Sequence, residues 1–144
     1  MISTYAHDIV AAGYFGFFGV LFLQSGFDKL LDRKGNLEWM EPHFEKSPFR
    51  GKVPALLTVL TLLELATCVM SFVSIFLVFF AKGPDAITVT LALILGTMLC
   101  LFAGQRFAKD YAGAGTLAAY FAVALVGAVW VVGPISSSIV MQSN

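Results

Sequence analysis

Four long, predominantly apolar stretches dominate the hydrophobic pattern of this chain. Charge is absent from Ile9 to Phe27, from Ala86 to Gln105 and from Tyr111 to the C-terminus, and Glu64 alone interrupts the run from Val53 to Ala81. Each stretch reaches the roughly 20 residues that an α-helix needs to cross a hydrocarbon core of about 30 Å. The runs are continuous and lack the period-two alternation of membrane strands, which argues against a barrel. The pattern therefore predicts an all-α, integral membrane four-helix bundle forming a single domain over the whole chain. Its helices fall at about 8–33, 53–80, 86–109 and 114–133, with an amphipathic cytoplasmic loop at about 34–52.

Local signals punctuate these spans. Asp8 is placed to cap the first helix and Gly35 to end it. The first stretch makes a poor signal peptide, because residues 1–8 carry no Lys or Arg and the apolar run exceeds a usual signal core. Pro54 suits the first turn of the second span, Lys82-Gly83-Pro84-Asp85 reads as a turn, Ala112 to Gly115 loosens the entry to the last span, and Gly133-Pro134 closes it. Small residues recur in the first span at Ala12, Gly13, Gly16 and Gly19, and in the third at Ala92, Gly96, Cys100 and Gly104. Such stripes mark expected helix packing seams. Between the first two spans, charges alternate with Trp39, Met40, Phe44 and Phe49, as in a segment lying at the headgroup boundary with Trp39 as its anchor.

Composition agrees with the pattern: 58% of the 144 residues are apolar and 12% are charged, about half the charged share of a soluble domain. Nine acidic and nine basic residues leave no net basic field, which argues against a nucleic-acid partner. Of the nine cations, only Lys82 lies on one side of the predicted topology. The bias places both termini away from the cytoplasm, hence in the periplasm for a protein of the bacterial inner membrane. The two cysteines, Cys68 and Cys100, form neither a CxxC pair nor a metal-ligand spacing, and His7 and His43 are not placed to grip a haem. No metal site is expected.

Candidate chemistry begins with Glu64. A carboxylate at bilayer depth costs several kcal/mol or more, so it implies a partner and a purpose. Eleven residues after Val53 correspond to about 16 Å of rise, near mid-membrane. Polar groups that approach it come from two other segments: Gln24, Ser25, Asp28 and Lys29, and Gln105, Arg106 and Asp110. Arg106 is the preferred partner, because a guanidinium can engage a carboxylate through two hydrogen bonds. Lys29 would have to reach down, unless the first helix extends well past Asp28. Gln24 or Ser25 would instead bond a protonated Glu64. Arg106 and Asp110 are expected to pair along the third helix. Three roles stay open for this set: an interhelical polar clamp, a pocket for a small molecule or quinone headgroup, and a path for protons or ions.

The segments FLQSGFDKLLD, LLELATC and GQRFAKDYAGAG together resemble the DoxX-like family of small four-helix bacterial membrane proteins, over nearly the whole chain. Gly26 and Lys29 match the family's Gly-x-x-Lys pattern, and Glu64 stands where the family tends to carry its intramembrane acid. Leu65-Ala66-Thr67 departs from the glycine-rich stretch that many members carry there. The resemblance implies an accessory or anchoring subunit of a quinone-linked membrane redox assembly, with other membrane subunits or further copies of itself as partners in the bilayer. It assigns no catalytic residue, and a nucleotide fingerprint, a haem ligand pair and a reactive cysteine pair are all missing. The alternatives are a quinone-reducing enzyme acting on a sulfur compound, a scaffold of a non-redox membrane machine, and a component of small-solute or ion transport.

Overall fold

The computed structural model describes residues 2–80 and 83–142. Among these there are five helices and no strand: α1 (Ile2–Leu31), α2 (Arg33–Phe44), α3 (Val53–Phe80), α4 (Pro84–Phe107) and α5 (Tyr111–Gln142). Four of them are long and apolar enough to cross a membrane, over Tyr5–Leu31, Val53–Phe80, Pro84–Phe107 and Tyr111–Gly133. The chain is thus a helical bundle of the multi-pass membrane type.

Boundaries differ from the sequence expectation where a side chain competes for the backbone. α1 does not wait for Asp8; it is already helical at Ile2, since nothing in residues 2–7 breaks a helix, and Asp8 lies beside His7 (3.7 Å) within it. It ends at Leu31, before Gly35, because Asp32 leaves helical geometry (φ −118°, ψ 53°) and its Oδ1 accepts from Gly35 N–H at 3.0 Å. That is an N-cap, and it starts α2 where a loop was expected. Gly35 sits in the first turn of the new helix. α4 ends at Phe107 in a Schellman-type turn, with Asp110 N–H donating to Gln105 O (2.9 Å), Lys109 N–H to Arg106 O (3.2 Å) and Lys109 at φ 60°. Asp110 then caps α5 through Gly113 N–H (3.0 Å), so the last helix begins at Tyr111. It continues through Gly133-Pro134 instead of closing there. Gly83 is the N-cap residue of α4, with Pro84 and Asp85 in its first turn; Lys82, the remaining member of the expected turn, lies outside the described residues.

α1 runs along α3, α3 packs on α4, and α4 on α5. The main core joins Phe15, Phe18 and Phe22 of α1 to Cys68 and Val78 of α3, Ile94 and Met98 of α4, and Ala124 and Val131 of α5. A second, smaller cluster at the end of the bundle that carries α2 holds Phe44, Val53 and Ala108, with Phe49 edge-on to Phe107 (ring centroids 5.0 Å apart). Arg33 ties α2 to the start of α3 by donating to Pro54 O (3.1 Å) and Thr58 Oγ1 (2.7 Å).

α3 is patterned inside out. Its buried stripe is Thr61, Glu64, Thr67, Ser71 and Ser74, while Leu62, Val69, Phe72, Phe76 and Phe79 face outward. Lipid tails are as apolar as leucine, so a membrane helix gains nothing by hiding its leucines; it hides the groups that need partners. Thr67 Oγ1 donates to Leu63 O (2.7 Å) and lies 2.8 Å from Thr97 Oγ1 of α4, and Ser74 Oγ donates to Thr90 Oγ1 (2.8 Å). Two hydroxyl pairs thereby fasten α3 to α4. A double-mutant cycle between Thr67→Val and Thr97→Val should return a coupling of about 0.6 kcal/mol in unfolding from detergent. Thr88→Val, whose exposed hydroxyl bonds only Pro84 O of its own helix, should show no coupling to either.

Candidate functional site

Glu64 is fully buried on the α3 stripe and its partner is Lys29. Because α1 runs unbroken to Leu31, Ser25 and Lys29 stand one turn apart on the face turned to α3. Between them Gly26 removes the obstacle to close approach: a Cβ there would lie 2.9 Å from Leu65 Cδ2 and 3.6 Å from Glu64 Cβ. Lys29 Nζ donates to Glu64 Oε1 (3.1 Å), Ser25 Oγ (2.8 Å) and Ser25 O (3.1 Å), and Ser25 Oγ donates to Glu64 Oε1 (2.8 Å). The ammonium has three N–H groups, and each has an acceptor. Glu64 Oε2 lies 3.0 Å from Nζ, off the line of a hydrogen bond; it is held by charge alone. The Lys29 side chain is 13% exposed and that of Glu64 is 0% exposed.

The depth of the acid follows from this pairing. Lys29 is two residues from the end of α1, so Glu64 sits at the level of the last turn of α1, and the first turns of α3 project past it to meet Arg33 on α2.

Arg106, the partner expected from sequence, is elsewhere. It is exposed in the last turn of α4, with its guanidinium carbon 4.9 Å from the centroid of the Tyr111 ring. The helix ends one residue later, so the long side chain turns outward and stacks instead of reaching inward. Asp110 cannot pair with it along a helix, because the chain reverses at Lys109; the carboxylate caps α5. Gln24 is exposed and makes no hydrogen bond to Glu64, being one residue, about 100° of helix, away from the Ser25 face.

Gln24 and Asp28 instead line a cleft of about 1110 Å³ between α1, α4 and α5, with Ser25 and Lys29 on its edge and Gln105 opposite. The cleft exists because α1 and α5 meet mainly at the far end of the bundle. There Tyr14 O–H donates to Ala124 O (3.1 Å), the Tyr14 ring lies against Gly127 where a methyl would overlap it, and His7 stacks on Trp130 (4.6 Å). Toward the α2 end the helices part. Small residues widen the gap: Gly13, Gly16, Cys100 and Gly104 line it, and a Cβ at Gly13 or Gly104 would touch nothing. Cys100 and Gly104, half of the α4 stripe expected to be a packing seam, form part of the cleft wall. On α1 the seam is real at Gly19, against Phe72, and at Gly26.

Comparison with protein families, curated proteins and solved structures finds no match to this chain. The geometry must therefore speak for the site. The cleft is graded: Phe17, Leu21, Leu101 and Leu117 line its apolar part, while Gln24, Asp28, Asn36 and Gln105 gather toward α2. Asn36, Trp39 and Met40 of α2 complete the wall, and sequence reading had them at the headgroup boundary, not against the bundle. The signal that could have placed them is Asp32-x-x-Gly35, which starts a helix instead of continuing a loop. Gln105 Oε1 is buried without a hydrogen-bond partner. Among the described residues no group of His, Cys, Asp and Glu is arranged to hold a metal ion.

The pairing makes a sharp prediction. Lys29→Met should destabilise the bundle by about 3–5 kcal/mol, since it leaves an uncompensated buried carboxylate. Adding Glu64→Met should restore most of the loss, and Arg106→Ala alone should stay within about 0.5 kcal/mol of wild type. Thermal unfolding of the four proteins in one detergent checks all three outcomes.

Proposed function

We propose that this chain is an accessory membrane subunit that holds an amphipathic, membrane-borne molecule in the cleft between α1, α4 and α5. The observation that carries the reading is the grading of that cleft from an apolar wall to a cluster of polar side chains at one end. A cavity of this size, mostly apolar with a few convergent polar groups, is the usual form of a small-molecule site. In the redox form of the reading, which rests on the DoxX-like resemblance, the occupant is a quinone. Its tail would follow the apolar wall, and its carbonyls would meet the amides of Gln24 and Gln105, because Lys29 spends its donors on Ser25 and Glu64, and Ser25 its own on Glu64. The chain then presents or anchors the quinone for a catalytic partner. Its place in this reading is the bacterial inner membrane, with the α2 end cytoplasmic; Arg33, Lys34, Lys46, Arg50 and Lys52 in the α2 segment support that orientation.

One observation favours a purely structural second reading. The Ser25–Lys29–Glu64 set is closed on itself, as a clamp holding α1 in register on α3 would be. Protein purified from its native membrane in mild detergent separates the two. Under the proposal, mass spectrometry of the extract shows a stoichiometric amphiphile, with partner subunits in the same preparation. Gly104→Leu, which fills open space in the cleft, should strip that amphiphile while shifting the thermal midpoint by only a few degrees. A wild-type extract with nothing beyond bulk lipid, indistinguishable from that of Gly104→Leu, would leave the clamp as the whole function.

A further inference from the structure

Among the described residues, the charged lining of the cleft consists of Asp28 and Lys29, and they are not equivalent. Lys29 is balanced by Glu64, and its N–H groups are all directed at Ser25 and Glu64. Asp28 is exposed, and its carboxylate has no hydrogen bond and no ion pair among the described residues. Basic neighbours on α2 are turned elsewhere: Arg33 to Pro54 O and Thr58, Lys34 to Glu38 (3.7 Å). The polar end of the cleft therefore presents one uncompensated negative charge.

Its other groups have the same preference. Gln105 Oε1 is a buried acceptor without a donor. Trp39 lies on the α2 wall with its indole half exposed and one face stacked on His43 (4.3 Å), and Tyr120 and Phe17 line the cleft from α5 and α1. Aromatic faces attract organic cations, most strongly away from water. An anionic headgroup would meet Asp28, and the cation among the described lining residues, Lys29, is already engaged by Ser25 and Glu64.

We propose that the cleft selects amphipathic organic cations, with the positive group beside Asp28 and Trp39 and the apolar body along the Gly13 and Gly16 wall. The inference rests on the cleft being a binding site and not on the redox form of that reading. It differs from the quinone expectation in a measurable way: the sign of the ligand's charge decides binding.

Tetraphenylphosphonium and tetraphenylborate test it, being alike in size and shape and opposite in charge. Titration of each into the purified protein in detergent, with partition into empty micelles subtracted, should give saturable binding of the phosphonium and none of the borate. Asp28→Asn, which removes no contact of the fold, should weaken the phosphonium by roughly tenfold or more. Asp28→Lys should abolish phosphonium binding, and Gly104→Leu should block it sterically with the charges intact. Equal binding of the two probes, or an unchanged phosphonium affinity in Asp28→Asn, overturns the proposal. If neither probe saturates while the native preparation still carries an amphiphile that Gly104→Leu strips, the cation preference alone is refuted. If neither saturates and the native preparation is bare, the binding-site reading goes with it.

Discussion

A carboxylate with no exposed surface in an apolar bundle fixes much of this structure. Burying Glu64 unpaired would cost several kcal/mol, and among the described residues the cation that reaches it is Lys29. That pairing requires α1 to stay helical past Asp28, Ser25 to stand one turn earlier as a shared hydrogen-bond relay, and position 26 to lack a side chain. All three conditions hold, and together they commit α1 to α3 along their length.

The cleft opens beside that pairing. At the end where the ion pair joins α1 to α3, α1 parts from α4 and α5, and Gly16, Cys100 and Gly104 are too small to bridge the gap. At the other end Tyr14, fitted against Gly127 and bonded to Ala124, brings α1 and α5 together. The bundle is tight at one end and open at the other, and the open end is where Gln24, Asp28 and Gln105 collect. An interaction with a structural role thus shapes a site whose unsatisfied groups are different residues: Glu64 and Lys29 neutralise each other, and Asp28 is left over.

Helix α2 gives the open end its wall. Asp32 ends one helix and caps the next with the same residue, and Arg33 pins the turn to the beginning of α3. Asn36, Trp39 and Met40 are thereby brought against the cleft, and Phe44 against Val53 and Ala108. What reads as an interfacial loop is an ordered part of the candidate site, which is why aromatic and polar recognition can meet there.

The four spans and the all-helical architecture were legible in the sequence, because in a bilayer each helix must satisfy its own backbone and cover itself with apolar side chains, which local composition alone specifies. The burial of Glu64 with Ser25 and Lys29 near it was legible for the same reason: a charge in such a run stands out against its surroundings. Only the tertiary structure chose Lys29 over Arg106. That choice depends on where α1 ends relative to α3, and on a chain reversal at Lys109 that turns Arg106 outward, neither of which any single helix encodes. It also decided that Cys100 and Gly104 of α4 line a cavity while Gly19 and Gly26 of α1 form a seam. A glycine permits close approach without requiring it, so its use is settled by the helix that arrives opposite.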